Sequence, residues 1–200
     1  MRVFLVAILI SSSNLAFSQS FGLRLITDIS QEEEINWSTG IGGYLGFSDS
    51  VHAFEGLLSC DWSWNETIVY DCLQCSEINA SSTYKKISIG IGGLWRFPIK
   101  TKLNFKIGPA ANYVFSEASY QGLVANWIMQ FNSDYVGLGL ISNFEIVDLL
   151  SSRINLDLFI HPSYLFIVNH TENDSMNSLY TQNQLLLSLQ LGLSYTIEKN

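Results

Sequence analysis

The chain has 200 residues, of which 48% are hydrophobic and only 14% are charged, whereas a typical soluble domain carries about 25% charged residues. The 18 acidic residues outnumber the 10 basic ones, giving a net charge of −8, which argues against a nucleic-acid-binding protein because such proteins need basic patches. The apolar content excludes an intrinsically disordered chain, and the length allows one domain or two small ones.

Residues 1–18 are predicted to be a secretory signal peptide. Arg2 supplies a positive charge, residues 3–10 are apolar, and Ala16-Phe17-Ser18 places small residues at the two positions that a signal peptidase reads. Beyond this segment no apolar stretch reaches the length of a membrane helix. We therefore expect an exported protein whose mature domain covers residues 19–200.

The mature chain is predicted to form eight β-strands, because apolar residues recur at every second position. In chain order the segments are 20–28, 37–48, 51–64, 84–97, 102–116, 133–147, 153–168 and 185–197. The last is the clearest, since leucines at 185, 187, 189, 191 and 193 alternate with a face that includes Ser188, Gln190 and Ser194. Strands of about 10 to 15 residues exceed the usual soluble strand and are long enough to cross a bilayer at a tilt.

The predicted connections alternate in length. Those at 48–50, 98–101 and 148–152 are short, whereas those at 29–36, 65–83, 117–132 and 169–181 are long and mostly polar. Short turns at one end and long loops at the other are typical of bacterial outer-membrane β-barrels.

Aromatic residues are predicted to form two girdles, as expected at the two membrane interfaces. The girdle near the long loops comprises Trp37, Trp62, Trp64, Tyr113, Phe115, Tyr164 and Phe166, and the other comprises Phe47, Trp95, Phe97, Phe105, Phe144 and Tyr195. By the same alternation, ten of the 14 glycines fall on the inner face, where small residues let a narrow barrel close.

On these features the chain resembles the small outer-membrane β-barrel proteins of Gram-negative bacteria, in the broad OmpA, OmpX and PorT-like group. The resemblance covers roughly residues 20–198, and the closing strand at 185–197 is similar to the C-terminal assembly signal of these proteins. The predicted fold is therefore all-β, an eight-stranded antiparallel transmembrane up-and-down β-barrel in the cell outer membrane.

Charged residues of both signs are predicted to face the lumen. They are Arg24, Glu55, Lys86, Arg96, Lys106, Glu145 and Asp157. Because buried charges must be paired, we predict a lumen charge network that plugs the barrel. The alternative is a gated pore or a proton path, although eight strands rarely leave an aqueous channel.

Three cysteines are candidates for a disulfide, which an exported protein favours. Cys60 lies in the third strand, and Cys72 and Cys75 lie in the following loop. One pair can form, and the sequence does not select which. A zinc site would need a fourth ligand, and a redox Cys-x-x-Cys motif would need a βαβ context, so a structural disulfide is preferred to both.

His161-Pro162-Ser163 is the one pattern that could be catalytic. Alternate strand positions place His161 and Ser163 on one face, about 6.5 to 7 Å apart, and the pair is similar to the His-x-Ser pair of some outer-membrane lipid A deacylases. That resemblance implies His161 as base and Ser163 as nucleophile. However, the pair is predicted to face the lumen rather than lipid, and spacing places no third residue, such as Asp157 or Glu172, to orient the histidine.

We therefore predict a non-enzymatic outer-membrane protein, with no cofactor and no metal, whose long loops carry a structural, adhesive or interaction role. Its expected partners are outer-membrane lipids and an extracellular or envelope protein, and a PorT-like accessory role in secretion is one version. One alternative is a lipid A-modifying enzyme that uses His161 and Ser163. The other is a secreted lipocalin-like ligand-binding barrel, in which the apolar face would point inward.

Overall fold

The computed structural model describes residues 17–30, 37–49, 53–71, 78–122, 128–151, 153–172 and 183–197. The strands are β1 (Phe17–Ser30), β2 (Trp37–Asp49), β3 (Phe54–Asp71), β4 (Ile78–Lys100), β5 (Leu103–Gly122), β6 (Ile128–Ser151), β7 (Ile154–Glu172) and β8 (Gln184–Ile197). Each strand pairs antiparallel with the next, and β8 pairs with β1, so the sheet closes into a barrel. This confirms the predicted eight-stranded antiparallel up-and-down barrel. Among the described residues, no helix is long and apolar enough to cross a membrane.

The apolar face of each strand points outward, as β8 illustrates. Leu185, Leu191 and Leu193 are exposed, whereas Ser188 and Gln190 are buried. Successive side chains of a strand point to opposite sides of the sheet, so one alternating sequence makes an apolar exterior and a polar lumen. This arrangement is the opposite of the one that a lipocalin-like barrel requires.

The apolar exterior forms a belt of membrane-spanning height. On β4 the outward-facing residues from Ile87 to Ile99 lie between the exposed Lys85 and Lys100. At a rise of about 3.3 Å per residue and a tilt of about 40°, this segment covers roughly 30 Å along the barrel axis. A hydrocarbon core has a similar thickness, about 30 Å. The barrel wall is therefore matched to a bilayer.

Several strands are longer than predicted. The eight strands contain 13 to 24 residues. β3 stays paired with β4 as far as Asp71, which lies opposite Ile78. Likewise, β5 continues to Gly122 and β6 begins at Ile128. The predicted loops at 65–83 and 117–132 are thus wrong for most of their length. Beyond the apolar belt the outward face of a strand no longer needs to be apolar, so the apolar alternation disappears although the backbone pairing continues.

The short connections are also shorter than predicted. β4 continues through Pro98 to Lys100, and Lys100 pairs with Leu103 across a two-residue turn. The pairing is irregular between Pro98 and Lys100, which is where a strand tolerates a proline that lacks an N–H. β6 likewise includes 148–151, and Asp148 has a positive φ of 58°. The predicted turns at 98–101 and 148–152 are therefore mostly strand.

The lumen is filled by alternating polar and apolar layers. A lower apolar layer, towards the short turns, consists of Tyr44, Leu57, Leu94, Ile141 and Phe159. An upper apolar layer, towards the long connections, consists of Val114, Tyr135, Leu165 and Leu186. Along β7 the inward residues are, in order from the short-turn end, Asp157, Phe159, His161, Ser163 and Leu165. One strand therefore passes through a charged, an apolar, a polar and a second apolar level.

Candidate functional site

A charge cluster lies below the lower apolar layer. Lys106 Nζ is 2.7 Å from Glu55 Oε2 and 2.8 Å from Glu145 Oε1, and these three side chains are only 3%, 5% and 8% exposed. Arg96 Nη2 lies 3.6 Å from Glu55 Oε2 and is more exposed. The arrangement satisfies the requirement that buried charges be paired, and it joins β3, β5 and β6 across the lumen.

Asp157 lies near this cluster but is held by neutral donors. Its carboxylate accepts hydrogen bonds from the Tyr44 hydroxyl at 2.5 Å, from Asn143 Nδ2 at 2.8 Å and from Ser194 Oγ at 2.6 Å. Among the described residues it makes no ion pair. A carboxylate has about four lone-pair sites, so three donors satisfy most of its hydrogen-bonding capacity without a cation.

Arg24 forms the central ion pair of the lumen. Its Nε is 3.0 Å from Asp61 Oδ1, and its Nη2 is 2.8 Å from Oδ1 and 2.9 Å from Oδ2. The guanidinium carbon also lies 5.5 Å from the Tyr44 ring centre and 5.3 Å from that of Phe159. Arg24 therefore combines a forked contact to a carboxylate with packing over two aromatic rings, for which its planar group is suited.

The predicted network lacked five residues of these clusters. They are Asp28, which pairs with Lys86, Asp61, which pairs with Arg24, and the three neutral donors to Asp157, which are Tyr44, Asn143 and Ser194. The signal for the two aspartates was present, because inward positions continue at every second residue from Arg24 to Asp28 and from Glu55 to Asp61. The partners of each cation, however, depend on how the strands are staggered, and alternation within one strand does not reveal that.

The candidate catalytic pair lies inside the barrel. Ser163 is 2% exposed and His161 is half-buried, and both point into the lumen, whereas Pro162 and Tyr164 face outward. Ser163 Oγ has no hydrogen-bond partner among the described residues. The two side chains thus lack the base-to-nucleophile hydrogen bond that acyl transfer uses, and Asp157 is bonded to other groups.

A different serine–histidine contact lies near the outer end of the lumen. Ser133 Oγ is 2.8 Å from His170 Nδ1, and the His170 ring stacks on Phe131. Ser133 and His170 are directly opposite each other on β6 and β7. His170 Nε2 has no hydrogen-bond partner within the described ranges. This pair was not predicted, because only the strand register brings the two residues together.

Cys60 is a free cysteine on the outer face of β3. In the register it lies between Gly43 of β2 and Ile89 of β4, within the apolar belt. A bridge that includes Cys60 is therefore not present. Cys72 and Cys75 lie outside the described residues, and a bridge between them stays a prediction. No cluster of His, Cys, Asp and Glu within the described ranges is arranged to hold a metal ion.

The outward aromatic residues form close pairs at the two edges of the belt. The rings of Trp62 and Trp64 are 5.0 Å apart near the long connections, and those of Phe105 and Phe144 are 4.9 Å apart near the short turns. Trp62 is 49% exposed on the outer wall. Amphipathic rings at these levels are suited to contact lipid headgroups.

Comparisons with known proteins agree with this architecture. No protein-family model matches the sequence, and no curated protein matches it significantly. A major outer membrane protein from Thermus thermophilus superposes with a TM-score of 0.65 at 13% identity, covering 90% of this chain and 99% of that one. The attachment invasion locus protein Ail of Yersinia pestis gives a TM-score of 0.54 at 11% identity, covering 92% and 100% of the two chains. Neisserial surface protein A gives 0.52 at 13% identity, covering 92% and 98%.

The chain has the fold of a small outer-membrane β-barrel protein. Its exterior is an apolar belt about as thick as a hydrocarbon core, which water would not solvate favourably. The closed sheet also leaves no strand edge unpaired towards lipid. The bacterial outer membrane is the location that fits both the fold and the apolar exterior.

Proposed function

We propose that this barrel is a non-enzymatic interaction protein whose outward end binds a positively charged protein surface. The outer membrane holds the wall, and the long connections present the binding surface. The observation that carries the proposal is the distribution of charge along the barrel axis.

The four segments predicted to leave the barrel at its outward end contain nine carboxylates and neither lysine nor arginine. The nine are Glu32, Glu33, Glu34, Glu66, Asp71, Glu77, Glu117, Glu172 and Asp174. Next to these segments on the outer wall, the exposed Lys85 lies directly opposite Glu117. A surface of one charge sign attracts a partner of the opposite sign and accelerates its association.

The other described basic residues lie in the lumen or towards the short-turn end. Arg24, Lys86 and Lys106 are paired with carboxylates inside the lumen, and Lys100 and Lys102 lie exposed at the short-turn end. The neighbour Ail was crystallised with sucrose octasulfate, a heparin analogue. A polyanion of that kind would be repelled by nine carboxylates, so we propose a basic partner for this chain instead.

The absence of an enzymatic role is supported by the geometry of the lumen. His161 and Ser163 face inward and are shielded from lipid by the wall, so a lipid substrate has no path to them in this arrangement. Ion pairs occupy the lumen where a pore would need water. Both features favour a filled barrel that serves as a platform for its outer connections.

Adhesion of whole cells to a defined basic protein tests the proposal. Bacteria displaying the full chain would be incubated on surfaces coated with lysozyme, at 0.05 M and 0.5 M salt. The outer variant is E32Q/E33Q/E34Q, and the matched inner variant is D49N/D148N/E198Q, which removes the same charge from segments other than the four long connections.

We expect wild-type and inner-variant cells to adhere several-fold more than cells without the protein, and outer-variant cells to lose most of that gain. High salt should abolish the difference, because exposed charges are screened over about 10 Å or less. Equal adhesion of the outer and inner variants, or of cells with and without the protein, would contradict the proposal.

A further inference from the structure

We propose that the turn between β4 and β5 forms a binding site for an anionic phospholipid. Lys100 and Lys102 hold the phosphate-containing headgroup, and the apolar outer wall next to them contacts the acyl chains. The site lies at the short-turn end, which faces the periplasm in outer-membrane barrels. It is independent of the acidic surface at the outward end.

Basic residues are concentrated around this turn. The chain contains ten lysine and arginine residues, and four of them lie within residues 96–106, a segment without aspartate or glutamate. The four are Arg96, Lys100, Lys102 and Lys106. Arg96 and Lys106 contact carboxylates of the lumen charge cluster. The two turn lysines take no part in that cluster and are left for a different partner.

An irregularity in the wall turns Lys100 towards lipid. Phe97 is paired with Phe105 on the outer face, so strict alternation along β4 would place Lys100 on the lumen side. The register shifts between Pro98 and Lys100, however, and Lys100 is paired with Leu103. Directly opposite residues of antiparallel strands lie on the same face of a sheet, and Leu103 shares the outer face with Phe105. Lys100 therefore points outward, as a bulge can re-aim a side chain.

The turn itself is held against the next strand. The Val147 N–H donates to the Lys102 carbonyl oxygen at 3.0 Å, and Leu103 is paired with Ile146 of β6. Both turn lysines are exposed, and no carboxylate in the described part of the chain lies within ion-pair distance of either. The backbone of the turn therefore has a fixed position, and both ammonium groups can reach an external anion.

The lysines lie at the depth of the lipid headgroups. Phe97, Phe105 and Phe144 form an aromatic group on the outer wall, with ring centres 6.5 Å apart for the first two and 4.9 Å apart for the last two. Aromatic rings mark the edge of the hydrocarbon core. From Phe105 to Leu103, opposite Lys100, is about 7 Å along the strand and roughly 5 Å along the barrel axis. The headgroup region on each side of the core is about 5 to 7 Å thick, so the ammonium groups reach the level of the phosphates.

A phospholipid of net negative charge matches both parts of the site. Lysine acts as a point charge that attracts phosphate. Phe97 and Ile99, which precede Lys100, are 51% and 52% exposed, and such apolar surface favours acyl chains over water. The lysines thus border a surface that lipid chains cover. The anion nearest to them is therefore the headgroup of an adjacent lipid rather than a solute, and surface cations favour anionic lipids.

Native mass spectrometry of the barrel released from lipid nanodiscs tests this proposal. The nanodiscs would contain equal amounts of phosphatidylglycerol, which is anionic, and phosphatidylcholine, which is zwitterionic, with the same acyl chains. The test variant is K100Q/K102Q, and K100R/K102R keeps both charges. The matched control is Lys85→Gln, which removes an exposed cation from the other end of β4, where Glu117 lies opposite.

A lysine near a membrane surface favours an anionic lipid by about fivefold. We therefore expect wild type, Lys85→Gln and K100R/K102R to retain phosphatidylglycerol over phosphatidylcholine by about fivefold or more. K100Q/K102Q should retain the two lipids within about twofold of equality. The single variants Lys100→Gln and Lys102→Gln should fall between these values, and they replace the double variant if it does not insert.

The proposal is wrong if wild type retains the two lipids equally, or if K100Q/K102Q keeps the same preference as Lys85→Gln. It is also wrong if inorganic phosphate at the concentration of the lipid displaces phosphatidylglycerol. In that case the turn would bind a free anion without any contribution from the acyl chains.

Discussion

Replacing Lys106 by methionine tests whether the lumen charge cluster is a desolvated structural unit. Methionine has a similar length and no charge, so Lys106→Met leaves the packing nearly intact. It also leaves the carboxylates of Glu55 and Glu145 without the ammonium group that lies 2.7 and 2.8 Å from them. Arg96, at 3.6 Å from Glu55, approaches only one of the two carboxylates.

The expected cost follows from the burial of the three groups. Removing one partner of a buried ion pair typically destabilises a protein by about 3 to 5 kcal/mol, because the remaining charge stays desolvated. Lys106, which is 3% exposed, serves two buried carboxylates, so we expect the upper part of this range. The matched control is Lys85→Met on β4, where the lysine is exposed opposite Glu117, and its expected cost is at most about 1 kcal/mol.

Urea unfolding in lipid vesicles, followed by the fluorescence of the five tryptophans, measures these costs at pH 7. The triple variant K106M/E55Q/E145Q should recover most of the loss, since replacing a whole buried ion cluster by neutral groups is often close to neutral. If Lys106→Met and Lys85→Met destabilise the barrel equally, the cluster is hydrated and the reasoning about its burial is wrong.

Two further substitutions test the wall of the barrel by the same unfolding titration. Gly108→Ala places a Cβ against the backbone carbonyl oxygen of Gly93, so β4 and β5 must move apart. We expect the free energy of unfolding to fall by about 2 kcal/mol or more. Gly56→Ala, whose Cβ meets no atom closer than 3.9 Å, is the control and should unfold like wild type. Equal destabilisation by Gly108→Ala and Gly56→Ala would show that Gly108 does not lie against the Gly93 carbonyl.

Ile91→Arg puts a cation on an outward residue that is 63% exposed near the middle of the belt. Ile91→Arg should lower the free energy of unfolding by about 2 to 4 kcal/mol. An unchanged free energy of unfolding would mean that this face does not contact lipid.

The predictability of this fold follows from its two environments. Lipid outside and a narrow side-chain-filled lumen inside impose a strict period of two, so the strand at 185–197 was evident from its leucines alone. The outer arms of β3 and β4 were missed because the sequence at 65–71 and 78–83 lacks the apolar alternation that lipid imposes on the rest of each strand. There the apolar period no longer reports the backbone pairing, although the register continues to Asp71 opposite Ile78.

The site was predictable only in part for a related reason. Alternation placed Arg24 and Lys106 inside, but it did not identify their partners. Arg24 reaches Asp61, which lies 37 residues further along the chain on a strand that is not its neighbour. Such contacts across the lumen depend on the stagger between strands, and a sequence pattern within one strand contains no measure of that stagger.

These cross-lumen pairs also explain why a single register is stable. Lys86 of β4 contacts Asp28 of β1, and Lys106 of β5 contacts Glu55 of β3, so each cation connects strands that share no backbone hydrogen bonds. A slip of one residue in any strand would turn its apolar face into the lumen and its charges towards lipid. It would also leave the partner of each displaced charge buried and unpaired. The lumen charges therefore select one arrangement of the wall.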